Sequence, residues 1–124
     1  MPYRSAVRVV ATHGYDRRAR KLLSDAERAA AELEIALAAS AWPVIVGTGG
    51  ARKARATRGG RGKSGGARII YYVMTRGDVL YLLDVYAKSA KEDLTDAEKH
   101  EIRKIVAALE AENGRFRSPP HRRP

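Results

Sequence analysis

Arg61, Lys63 and Arg68 precede or open an apolar run, Ala67 to Met74, and Tyr86, Lys88 and Lys91 close or follow the next run, Val79 to Ala87. Thr75-Arg76-Gly77-Asp78 between them reads as a hairpin connection, with Gly77 able to take positive φ. In an antiparallel hairpin the start of one arm lies beside the end of the other, so Arg68 is expected near Tyr86 and Lys88. Several cations and a phenol then share one end of a sheet. Such a group suits a phosphodiester. Guanidinium forks match phosphate oxygens, crowded cations depress a lysine's pKa, and a Lys or Tyr can move protons without histidine. The same spacing fits a non-catalytic phosphate-binding patch equally well.

Other chemistries find little support. There is no cysteine, which removes disulfides, thiolate zinc sites and thiol nucleophiles. His13, His100 and His121 have no ligand spacing, so neither a metal nor a cofactor is expected. Gly62-Lys63-Ser64 invites comparison with a phosphate-binding P-loop, but the required first glycine falls on Thr57, and a strand pattern follows where a helix is needed. Asp16, Asp25, Glu27, Glu32, Glu34 and the acids of 96–101 fall at helix caps and surfaces. Asp84 alone sits inside an apolar strand, where it is expected to pair with a neighbouring base.

The 124 residues suit one domain with a short tail, and 44% hydrophobic residues can build a core. Lys and Arg number 24 against 14 Asp and Glu, a net charge of +10. The interval 35–77 has no acid and holds Arg52, Lys53, Arg55, Arg58, Arg61, Lys63, Arg68 and Arg76. An anionic partner follows, and charge alone does not choose among nucleic acid, an anionic surface and an acidic protein. No stretch approaches the roughly 20 apolar residues of a membrane span. The first fifteen residues lack a secretory apolar core. A soluble, cytoplasmic protein is expected.

The elements that must position these residues read as β-α-α-β-β-β-α. Val7 to Ala11 is a short β-branched run, and Asp16 to Leu23 a short helix with a basic face. Ser24-Asp25-Ala26-Glu27 is a capping box opening a helix that ends by about Ser40, before Pro43. Gly47-Thr48-Gly49-Gly50 permits a tight turn, and Lys53 to Thr57 is an edge strand with Lys53 and Arg55 on one face. A glycine-rich loop, Gly59 to Gly66, leads into the hairpin, whose two arms are apolar enough to lie centrally. Thr95-Asp96-Ala97-Glu98 caps a last helix bearing Ile102, Ile105, Val106 and Leu109, with Gly114 as its stop. The fold class is α+β: a small antiparallel-rich sheet with two N-terminal helices and one C-terminal helix. Residues 1–113 form the domain, and 114–124 a basic tail, expected to be disordered.

Pro43, the run Gly47 to Arg55, the block Gly62-Lys63-Ser64-Gly65-Gly66-Ala67-Arg68-Ile69-Ile70-Tyr71-Tyr72, Tyr81-Leu82-Leu83, Val85-Tyr86-Ala87-Lys88, Lys91 and Asp93-Leu94-Thr95 together resemble the RelE/ParE superfamily of toxins, in particular its HigB-like subgroup. The likeness runs from about Leu22 to Leu109. It implies a RelE-like fold and a type II toxin that cleaves mRNA on the ribosome without metal, so inhibiting translation. The partners it implies are that mRNA and a cognate antitoxin, commonly a helix-turn-helix DNA-binding protein. In related cleavers the ribose 2′-OH attacks the adjacent phosphate. By position, Arg68 matches the arginine that steadies the scissile phosphate. Arg61 and Lys63 match the basic loop before it, and one of them, or Lys88, serves as base or transition-state cation. Tyr86 and Lys91 stack a base or deliver a proton, while Lys53, Arg55 and Arg58 hold RNA backbone. The chain departs from the pattern at Ala51, Ala54 and Ala56, where larger apolar residues are usual, and at Leu94, in the neighbourhood where some RelE proteins have a C-terminal tyrosine. A gyrase-inhibiting ParE-like toxin and a non-catalytic basic RNA- or ribosome-binding module, such as a degenerate toxin, are the competing readings.

Overall fold

The computed structural model describes residues 8–59, 66–74, 76 and 78–117, with side chains to 113. Its elements are β1 (Arg8–Ala11), α1 (His13–Leu22), α2 (Asp25–Leu37), β2 (Arg52–Ala56), β3 (Ala67–Val73), β4 (Val79–Ala87) and α3 (Asp96–Arg117). The strands form one sheet in the order β1-β4-β3-β2. β2–β3 and β3–β4 are antiparallel, whereas β1 runs parallel to β4, so the sheet is mixed. The hairpin arms take the two central positions and β2 an edge, as their apolar and alternating patterns require.

α1 starts three residues before the Asp16 expected from its basic face. The reason is Thr12, whose Oγ1 accepts from the Tyr15 N–H at 3.4 Å and donates to the Leu82 carbonyl at 2.8 Å. Thr12 thereby caps the helix and ties it to β4. The box at Ser24 and Glu27 forms in both directions, at 2.9 and 3.1 Å, and so does that of Thr95 and Glu98, at 2.8 and 3.1 Å. α3 does not stop at Gly114 but continues to Arg117. Glycine weakens a helix interior by only about 1 kcal/mol relative to alanine, less than the flanking turns can hold. Residues 118–124, Gly77 and the loop 60–65 lie outside the described residues.

Each sheet face carries its own core. Ile69, Tyr71, Leu80, Leu82 and Val85 pack with Tyr15, Ala19, Ala31 and Ile35 of α1 and α2. Ile70, Tyr72, Leu83 and Tyr86 pack with Ile102 and Val106 of α3. Strict alternation would put Leu82 and Val85 on opposite faces. They share one because the register slips between Ile70 and Tyr71: Ile70 faces Asp84 and Tyr71 faces Leu82, leaving Leu83 as an extra residue. This bulge turns Tyr86 onto the α3 face.

Two glycine positions fix the approach to the hairpin. In the Gly47–Gly50 turn, Gly50 has φ of 117° and a Cβ there would come within 3.2 Å of the Tyr72 ring, while the buried Thr48 hydroxyl closes the turn on Ile45 and Ala51. At Gly66 a Cβ would lie 2.1 Å from the Ala56 carbonyl oxygen, so only glycine lets the chain enter β3 against β2.

Candidate functional site

The β2–β3–β4 ladder sets Arg55 opposite Arg68 and Arg68 opposite Tyr86. Directly opposed residues project to the same face, so two guanidinium-bearing residues and a phenol form one row across three strands, on the side where Tyr86 meets α3. Arg68 therefore lies beside Tyr86, as the hairpin pattern predicts. Lys88 adjoins the row, its N–H donating to the Gly66 carbonyl at 2.9 Å.

Arg68 is only 7% exposed, and one of its Nη atoms donates to the Ala67 carbonyl at 3.3 Å. Tyr86 is 6% exposed and its hydroxyl finds no hydrogen-bond partner among the described residues. Burial is the main cause that pushes this phenol up to about 12; Asp93 adds to it and Arg68 opposes it. Tyr86 thus keeps its proton at neutral pH and can donate it, but is not poised to act as a base.

The connection from β4 to α3 and the first turn of α3 supply carboxylates to the lysines around this row. Lys91 Nζ lies 4.8 Å from the Tyr86 ring centre and 2.5 Å from Glu98. Lys53 bonds Asp93 at 2.7 Å, and Lys88 stands 3.9 Å from Glu92. The bond from Lys91 holds the Glu98 carboxyl below its usual range, and that from Lys53 does the same for Asp93. Sequence reasoning missed these acids. Glu98 was legible only as a cap residue; one of its oxygens serves Thr95 and the other Lys91. Asp93 and Glu92 gave no local signal, since their partners are set by tertiary placement.

The remaining candidates divide. Arg55 is exposed, with its guanidinium 5.7 Å from the centre of the Trp42 ring. Arg58 donates to the Leu22 carbonyl at 3.1 Å, at the end of α1, and so helps to fasten the β2 exit to that helix. Arg61 and Lys63 fall in the loop outside the described residues. Asp84 pairs with Arg18 at 2.6 Å, the structural role expected of it. Among the described residues no group of His, Cys, Asp and Glu could hold a metal ion, and no helix is long and apolar enough to cross a membrane.

A buried guanidinium beside a buried phenol, with lysines at the margin, can bind a phosphate oxygen and supply a proton to a leaving oxygen. A family model described as the RelE toxin of the RelE / RelB toxin-antitoxin system matches residues 7–115, which include every described strand and nearly all of α3.

Proposed function

The chain belongs to the RelE family of toxins of toxin-antitoxin systems, and from that premise we propose that it is a ribosome-dependent mRNA endonuclease of the HigB-like subgroup. The observation that carries this reading is the buried Arg68–Tyr86 pair, a cation and a proton donor side by side on one sheet face. A cognate antitoxin comes with the family; that it is a helix-turn-helix protein belongs to this proposal, as does cytoplasmic action on translating ribosomes.

In the proposed reaction a ribose 2′-OH attacks the adjacent phosphorus and the bond from phosphorus to O5′ breaks. Arg68 binds the non-bridging oxygens, where charge builds in the transition state. The 2′-OH proton passes to the neutral-amine form of a lysine, Lys63 or Lys88, which has first lost a proton to solvent and returns the one it gains to solvent after the step. An arginine does not give up its proton in a protein and so cannot take this part. Arg61 then serves as a transition-state cation. Tyr86 gives its proton to O5′ and recovers one from solvent, leaving a 2′,3′-cyclic phosphate and a 5′-OH. Lys91, held over the Tyr86 ring, steadies the transient phenolate; Lys53 contacts the RNA backbone once Asp93 yields it.

One observation favours a second reading: Lys53 and Lys91 already have carboxylate partners, which suits a basic module that binds RNA without cutting it. Mapping of RNA ends in cells expressing the chain separates the two. Cleavage with 5′-OH ends, reduced roughly 100- to 1,000-fold in Arg68→Ala and less in Arg68→Lys, is the expected result. Intact transcripts with growth arrest refute the nuclease, and DNA damage with uncut transcripts assigns the chain to gyrase inhibition.

A further inference from the structure

β2 is the outer strand, and it ends the row that contains the scissile-phosphate candidate Arg68. Its cations are mostly engaged. Arg52 donates to the Trp42 carbonyl at 2.5 Å, and Lys53 has Asp93. Arg55 has no hydrogen bond or ion pair among the described residues; its contact is the Trp42 ring. Trp42 itself is held in place. Arg52 grips its carbonyl, Lys53 N–H donates to the Pro43 carbonyl at 3.1 Å, and the indole packs against the core beneath α1 and α2.

A guanidinium supported on one side by an aromatic ring presents its other side to solvent, and such planes stack on unpaired bases of single-stranded RNA. Arg55 and Arg68 are directly opposed on neighbouring strands whose backbones lie about 4.8 Å apart, so their side chains leave one face of the sheet from adjacent points, within reach of the phosphate and the base of one short stretch of RNA. We propose that Arg55, backed by Trp42, is a stacking platform for a nucleobase next to the phosphate bound by Arg68. This rests on the reading that the row binds RNA, and it makes the position selective for the shape and stacking strength of one base.

Trp42 is the only tryptophan in the chain, so its fluorescence reports on this position. The probe is a short, non-cleavable 2′-O-methyl RNA oligomer, compared with an abasic sugar-phosphate oligomer of equal charge, each titrated into the full chain. Saturable change in Trp42 emission with the RNA oligomer but not the abasic one is expected. Arg55→Lys keeps the charge and loses the plane, so it lowers RNA affinity roughly 5- to 100-fold while leaving abasic affinity unchanged. Trp42→Phe, which retains a ring but removes the fluorophore, lowers affinity less when the same oligomers carry a dye and binding is read by anisotropy. An absent emission change, equal responses to both oligomers, or an Arg55→Lys loss shared by the abasic oligomer overturns the platform. Its failure is distinguishable from that of the nuclease: cleavage without the emission response removes only the platform, and the response without cleavage removes only the nuclease.

Discussion

Replacing Tyr86 by phenylalanine removes one oxygen from a place where that oxygen has no partner among the described residues. A buried hydroxyl without a hydrogen bond destabilises a fold by about 1–3 kcal/mol, so Tyr86→Phe is expected to stabilise the chain by about 1 kcal/mol at pH 7, a rise of roughly 4 °C in Tm. Alkali enlarges the difference. In the unfolded chain the phenol ionises near 10 and in the fold near 12. The raised value means that stability is fully present below pH 10 and is lost as pH climbs through the folded value. At pH 11 the loss from Tyr86 is about 1.4 kcal/mol, which the variant does not suffer. Tyr71, also raised to about 12 chiefly by burial, keeps part of the alkaline slope in both proteins. Urea melts at pH 7 and pH 11 read the gap, expected to grow from about 1 to about 2.4 kcal/mol. RNA cleavage by the same variant should fall roughly 100-fold or more if the phenol is the acid. A variant less stable than the parent at pH 7 shows that the hydroxyl has a partner. A gap that stays constant shows that burial does not hold the proton. A more stable variant that cleaves normally removes Tyr86 from the chemistry.

Three further outcomes follow from the packing. Gly66→Ala forces a Cβ to 2.1 Å from the Ala56 carbonyl and should destabilise by about 3 kcal/mol; Gly59→Ala, with φ of 61° and nothing within 4 Å, should lose only about 1 kcal/mol in the same melts. Asp84→Asn breaks a half-exposed pair with Arg18, so stability should change by less than about 1 kcal/mol and cleavage by no more than a few-fold; a large activity loss makes Asp84 a participant. Asp93 and Glu98 have depressed folded values, so their contribution is present above the ordinary carboxylate pKa and disappears as pH falls through the folded ones. Amide protection across 88–95, measured relative to the intrinsic exchange rate at each pH, should therefore fall below about pH 4, and Glu98→Gln, which can still cap Thr95, should lower it around Lys91 already at neutral pH.

How far the fold was readable depended on the range of the forces. Both capping boxes were visible because donor and acceptor lie three residues apart. The glycine turn was visible because few residues tolerate its backbone angles. That Arg68 lies near Tyr86 was also within reach, since a hairpin brings the start of one arm beside the end of the other; the residue directly opposite was not, because the register next to the connection, carried outward without the extra residue, would set Arg68 against Val85. The bulge at Leu83 was not, because consecutive apolar residues look alike whichever face they take. α1 began early for a comparable reason: Thr12 is fixed as a cap partly by Leu82, seventy residues away.

By itself the sequence determined an α+β domain, a hairpin at its centre and a concentration of positive charge leading into that hairpin. Those features follow from periodicity, turn chemistry and composition, which act locally. Only the tertiary structure decided which cations remain available. It pairs Lys53 with Asp93 of the β4–α3 connection and Lys91 with Glu98 in the first turn of α3, uses Arg58 to hold α1, and leaves Arg55 on an indole at the sheet edge. A side chain's formal charge is set by its own chemistry, but its availability depends on what the fold brings within hydrogen-bonding distance.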